Sequence, residues 1–307
     1  MLADTIDVPL PFPRDSALRL VGRENLVQLG GFRALMLQAL SPAMTAGFLE
    51  HTDMFDSRAH TLRRLERTRL TLNRIYFHED AGEIQRMMAG VRAGHAQVRG
   101  TLPDGTPYAA DDPEHLLWTL ATTADSAWCW YREFVADDRD LGEAFWRDMR
   151  IMGRLFGLEE DQMPADWAGV HALIEDRRRD GSLQLSDRAR SIALDGLRRP
   201  HLPPPANVLG PLVGVATVAT LPAWVRARYG VHWPAPLAAA WAAGRVQRRL
   251  TTVATPARMR FAPEWFGVFP PLPPFAGTPD PVPAAPLPLR AGHVPVSAAL
   301  RILAPAA

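Results

Sequence analysis

The chain has 307 residues, 47% of them apolar, enough for one sizeable core or two small ones; its formal net charge of +1 gives no global argument for nucleic acid or an anionic membrane as partner. All 34 basic residues are arginines, which excludes a Schiff-base lysine, a phosphate-cradling P-loop lysine and a lysine metal ligand. The one cysteine, Cys129, precludes an intramolecular disulfide and reads, within Ala127-Trp128-Cys129-Trp130-Tyr131, as a buried small apolar residue rather than a thiolate ligand.

Met1-Leu2-Ala3-Asp4 lacks a basic start followed by an apolar run, so no signal peptide is expected. Residues 1–22 read as an extended lead-in, because Pro9, Pro11 and Pro13 block helix formation. A helix is predicted over about 23–40 and a shorter one from Pro42 to Glu50. Asp56 or Ser57 can cap a long helix through Phe77, with Leu62, Leu65, Leu72, Ile75 and Tyr76 at helical spacing. A turn follows at 78–83, with His78 exposed. Asp80 and Glu83 stand in capping-box spacing and start a helix whose apolar stripe is Ile84, Met87, Met88, Val91, His95 and Val98.

Pro103-Asp104-Gly105 marks a turn between two short extended pieces, and Asp112-Pro113 reads as the cap and first residue of a helix running to about Val135. Helices are predicted over about 140–156, 165–180, 186–198, 207–228 and 235–252. The uncharged stretch from His201 to Trp224 is interrupted by Pro203, Pro204, Pro205, Pro211 and Pro222, so it reads as a buried core helix rather than a membrane span, and the expected location is cytoplasmic. The fold class is all-α with one minor β-hairpin. The lead-in at 1–22 precedes a single helical domain at 23–269 and a Pro/Ala-rich tail at 270–307, extended or disordered from Pro270 to Pro288.

His95 is the most informative histidine because it lies on the buried face of its helix, although a lone histidine there is more often a satisfied core residue. Arg64 and Thr68, one turn apart, share a face of the preceding helix. Thr68 lies about 14 Å before the helix end at Phe77 and His95 about 18 Å after Glu83, so antiparallel packing brings them to similar heights. An arginine, a threonine and a histidine converging between apolar walls suit a ligand with a metal centre and anionic groups. Heme fits that description. His115, His171, His201, His232 and His293 show no pairing pattern, and Trp118, Trp128 and Trp130 read as core. Arg177-Arg178-Arg179 reads as a solvated helix end.

Arg64-Leu65-Glu66-Arg67-Thr68 followed by His95-Ala96-Gln97-Val98-Arg99-Gly100 resembles the rubber-oxygenase catalytic-domain family, which includes the mycophenolic-acid-pathway oxygenase. The likeness continues through Thr101–Tyr108, Asp111-Asp112-Pro113, Leu117-Trp118 and Thr123-Ala124-Asp125-Ser126. Upstream it takes in Leu35-Met36-Leu37-Gln38, Pro42 and Gly47; weaker echoes lie at Leu221–Gly230 and Pro256–Arg260. It spans about residues 30–262; each fragment is unspecific alone, but the ordered set is fairly specific.

The resemblance implies a helical fold with heme b buried between core helices, His95 as the proximal iron ligand, and Arg64 and Thr68 beside the heme. The rubber-cleaving member has a lysine just before the motif threonine that can take the distal iron position. Here Arg67 stands there, and a guanidinium has no free lone pair for iron. Glu50 and His51 lie in the loop region from which the family's catalytic acid comes. A glutamate in an apolar distal pocket would have a raised pKa and move protons; the plainer reading is a solvated loop pair. Glu50, His51 and His60 lack natural spacing for a non-heme metal.

The expected function is therefore a heme-b-dependent oxygenase using dioxygen, and an electron donor, on a small apolar substrate such as a lipid, terpenoid or natural-product intermediate. The alternatives are a heme-dependent peroxygenase, desaturase or dehydratase, or a heme or ligand-binding protein without turnover.

Overall fold

A computed structural model describes residues 5–200 and 209–271. After an extended segment, Ser16 caps α1 (Ala17–Gly22), followed by α2 (Asn25–Leu29), α3 (Gly31–Gln38) and α4 (Pro42–Glu50). The motif helices are α5 (Arg58–Phe77), capped by Ser57, and α6 (Ala81–His95), capped by Asp80. A two-stranded antiparallel hairpin, β1 (Arg99–Thr101) and β2 (Pro107–Ala109), pairs Gly100 with Tyr108. Asp112 then caps α7 (Pro113–Phe134) with Pro113 in its first turn, and α8 (Arg139–Phe156), α9 (Trp167–Arg179) and α10 (Asp187–Arg198) follow. The remaining helices are α11 (Gly210–Thr220), α12 (Ala223–Tyr229), α13 (Ala235–Ala243), α14 (Arg245–Ala254) and α15 (Ala257–Arg260). The fold is all-α with one small hairpin, as the sequence predicts.

Most predicted helices form, and the differences have identifiable causes. The lead-in stays extended only as far as its prolines reach: Ser16 accepts a hydrogen bond from the Arg19 amide, and Leu18 and Val21 of α1 are fully buried. The helix predicted over 23–40 divides at Gly30, whose α-carbon lies so close to α7 that a Cβ there would meet Trp130 at 3.0 Å and the Ser126 carbonyl at 3.1 Å. Two further predicted helices divide at Leu221-Pro222 and at Gly244. Asp80 caps α6, but Glu83 pairs with Arg86 instead of completing a capping box. His78 is half-buried, tilted against Phe269. Arg177 pairs with Glu114 instead of ending its helix in solvent. The expectations for His201, Pro203–Pro205, His293 and the tail beyond Pro271 lie outside the described residues.

The long helix α7 is enclosed by α1, α2, α3, α8, α9 and α14. Trp128 and Trp130 enter one apolar cluster with Trp146 and Trp167; Trp118 enters a second with Leu37, Leu40, Val218 and Tyr229, so the tryptophans are core. α11 buries Val213, Ala216 and Val218, and no described helix is long and apolar enough to cross a membrane.

Buried charges are matched where elements meet. Arg33, 4% exposed, donates to Asp125 at 2.7 Å, to Ser126 Oγ at 2.8 Å and to the Thr220 carbonyl at 3.0 Å, joining α3, α7 and α11. Burial alone would lower its pKa, but the Asp125 carboxylate outweighs burial and raises it, so the guanidinium stays charged. Glu264 is held by Asn73 and Arg69 of α5, and Glu24 by Arg260.

Removing one partner of a buried pair strands the other. Asp125→Ala is expected to destabilise the fold by about 3 kcal/mol in urea unfolding, whereas Asp137→Ala, which breaks the exposed pair with Arg132, should cost less than about 1 kcal/mol. Equal small losses would show that the Arg33 pair is not an anchor.

Candidate functional site

His95 is the last residue of α6, and the Val98 amide bonds its carbonyl at 3.0 Å as the chain turns into β1. Its ring stacks on Phe156 of α8, with centroids 6.0 Å apart and planes 17° from parallel. Nδ1 is buried and has no hydrogen-bond partner among the described residues. Burial lowers the pKa of His95 from its ordinary value, the nearby positive charge of Arg64 lowers it further, and Asp111 opposes both. The imidazole is thus neutral at pH 7, with a nitrogen lone pair available to a metal ion.

Arg64, on the preceding helix α5, lies near enough for its charge to act on this imidazole. Burial, and then Arg67, lower its own pKa, against the opposing pull of Asp53. Its Nη1 donates to Thr68 Oγ1 at 3.4 Å, and the Thr68 hydroxyl donates to the Arg64 carbonyl at 3.0 Å. Among the described residues no carboxylate lies within ion-pair distance of Arg64. A half-buried cation left unpaired beside a neutral imidazole suits an acidic group of a metal-bearing cofactor. Arg63, one residue back, is turned to solvent and lies 3.8 Å from Asp53.

The Arg64 charge acts on His95, whereas Thr68 is exposed, its hydroxyl satisfied by its own helix. Glu50 and His51 acquire a partner that the sequence reading did not name. Glu50 is the final residue of α4, as the helix predicted from Pro42 to Glu50 has it, and His51 is its C-cap. The Tyr108 hydroxyl donates to Glu50 Oε2 at 2.6 Å and lies 3.2 Å from His51 Nε2. Glu50 itself is exposed, which agrees with the plainer reading of a solvated pair.

Tyr108, 5% exposed, is the residue that sequence reasoning missed. Its pKa is raised above the ordinary value of 10 by burial and by Glu50. The available signal was its place opposite Gly100 in the hairpin. A Cβ on Gly100 would lie 2.5 Å from the Tyr108 oxygen, so only glycine leaves room for the ring.

His60 faces Asp53 instead of Glu50 and His51, and among the described residues no three His, Cys, Asp or Glu side chains gather as a metal site. Cys129 is half-buried, and burial raises its thiol pKa, which disfavours a thiolate ligand. A cavity of about 490 Å³, lined by Arg58, Arg198, Arg199 and Pro211 among others, lies at the start of α5, and its lining includes neither His95 nor Arg64.

One family model matches the chain over residues 18–252; the family is described as ER-bound oxygenase mpaB/B'/Rubber oxygenase, catalytic domain. No curated protein and no solved structure matches.

The hairpin contact makes a specific prediction. Gly100→Ala should destabilise the protein by roughly 1–3 kcal/mol because the ring must move, and Tyr108→Phe by about 1 kcal/mol because only the hydroxyl's bonds are lost. Chemical denaturation of both variants checks this, and a Gly100→Ala protein as stable as the parent would refute the close packing.

Proposed function

This chain belongs to the mpaB/rubber-oxygenase catalytic-domain family, a family of oxygenases, and on that footing we propose that it is a heme-b-dependent oxygenase acting with dioxygen and an electron donor on a small apolar molecule, such as a lipid, terpenoid or natural-product intermediate. The observation that carries the reading is the buried, unpartnered Nδ1 of a neutral His95 beside the unpaired Arg64. Bound between α5 and α6, heme would supply an iron centre able to activate dioxygen.

The chain's own residues have separable tasks. His95 would hold the iron through its imidazole, kept neutral by burial and by the Arg64 charge. Arg64 would hold a propionate or polarise bound oxygen, and Thr68 steadies the guanidinium through the contact at 3.4 Å. Arg67, at the position of the rubber-cleaving member's lysine, cannot replace that lysine as a ligand. Glu50 Oε2, the Tyr108 hydroxyl and His51 Nε2 form a short chain that can hold a proton where α4 meets the hairpin, the role proposed here for Glu50.

His95→Ala should lose the Soret band, or shift it, in protein reconstituted with heme; an unchanged band at full occupancy would remove His95 as ligand. The parent should lose heme on acidification and not on alkalinisation, because protons compete for the ligating nitrogen. The His95 pKa lies below the ordinary 6.5 and below its value in the unfolded chain, so protonation favours the unfolded, heme-free state and the loss should begin only below pH 6.5. Spectral titration checks this, and loss already under way above pH 7 contradicts it.

Arg64→Ala should weaken heme retention by about tenfold, a loss of one charge-assisted bond, whereas Arg63→Ala should leave it nearly unchanged. Transfer of heme to apomyoglobin measures both, and equal rates would make Arg64 a surface charge only.

A further inference from the structure

A histidine that holds a metal must present its ring in one plane, and an imidazole does not fix that plane by itself, because the torsion between Cβ and the ring has no sharp preference. A metal-bound histidine is usually oriented by a hydrogen bond from its second ring nitrogen. Nδ1 of His95 is buried and has no such bond among the described residues. The ring lies instead against the face of Phe156, with centroids 6.0 Å apart and planes 17° from parallel.

The backbone on both sides of this stack is held. Ile84 and Met88, on the same stripe of α6 as His95, are fully buried in the apolar cluster against which Phe156 packs, so α6 cannot turn about its axis. Phe156 is the last residue of α8, which ends at Gly157 in the left-handed region with a φ of 108°. The Gly157 amide donates to the Arg154 carbonyl at 2.9 Å and the Leu158 amide to the Gly153 carbonyl at 3.0 Å. Leu155 and Leu158, beside this turn, are fully buried. Arg92, one turn before His95, donates from Nη1 to the Leu155 carbonyl at 2.8 Å and ties the ends of α6 and α8 together at the stack. What remains free at His95 is the side chain, and Phe156 restricts it.

We propose that Phe156 is a positioning residue whose ring sets the plane in which His95 presents its nitrogen to the iron. The inference rests on the heme reading of this site. A stacked ring covers the face of an imidazole and not its edge, where the nitrogen lone pair lies, so the stack is compatible with a metal bond. Leucine at this position keeps apolar bulk and loses the flat face; tyrosine keeps both.

The test is electron paramagnetic resonance of the full chain reconstituted with ferric heme, together with transfer of heme to apomyoglobin, in the parent, Phe156→Leu and Phe156→Tyr. The parent should show one heme species. Phe156→Leu should split or broaden that signal, because the imidazole no longer has a single plane, and should speed heme transfer by about tenfold. Phe156→Tyr should restore the parent's signal and rate. The unfolding midpoints of the heme-free variants should stay close to the parent's. The parent's signal and transfer rate retained in Phe156→Leu would overturn the proposal. Equal losses in the leucine and tyrosine variants would overturn it too, by making Phe156 a packing residue only. A parent without a Soret band, or one whose band His95→Ala leaves unchanged, would overturn the heme reading first and this proposal with it.

Discussion

A guanidinium as buried as Arg33 needs a carboxylate beside it, and the position of Asp125 on α7 is therefore a constraint on the whole bundle. Because Arg33 also reaches Ser126 and the Thr220 carbonyl, α3, α7 and α11 take one relative arrangement. Gln38 repeats the link further along α3, donating to the Thr122 and Thr123 hydroxyls. With α7 held on its flanks, its N-terminus is held as well. Asp112 and the hairpin ahead of it are fixed in turn, and so is the end of α6, where His95 stands.

The same exclusion of water sets the electrostatics of the site. His95 and Arg64 occupy facing helices, the Arg64 charge disfavours a charged imidazole, and burial lowers the pKa of both. The imidazole yields because it can lose a proton near neutral pH, while a guanidinium cannot. The outcome is a neutral nitrogen donor beside a permanent cation, an unequal pair suited to a metal and an acid on one cofactor. The Glu50–Tyr108–His51 group belongs to a different layer, held by the packing of α4 on the hairpin.

Charge is divided along the chain in a way that the net value of +1 conceals. The segment after Asp195 is basic and carries the exposed apolar residues, so the remainder up to Asp195 carries the balancing acids. Buried pairs such as Glu133 with Arg245 and Arg248 tie the two parts together.

Local signals determined much of this protein from the sequence alone. The caps at Ser57, Asp80 and Asp112, the proline after Asp112, the Pro-Asp-Gly turn and the stripe from Ile84 to His95 each depend on residues within a turn or two of one another. All of them stand in the structure. The absence of lysine is composition, and the expectation that Arg64 and His95 stand at similar heights rested on helix periodicity and a short turn. Tertiary contact decided the rest. Gly30 stands where α7 passes so close that a Cβ would meet Trp130, and Thr68 is exposed with its hydroxyl bonded to its own helix. Glu50 finds Tyr108 across 58 residues of chain. On α14, Arg245 and Arg248 reach Glu133, 112 residues from Arg245, while Val246, Leu250 and Val253 stay exposed. Periodicity states that a helix has an apolar face; only the partners brought from elsewhere in the chain decide whether protein covers it.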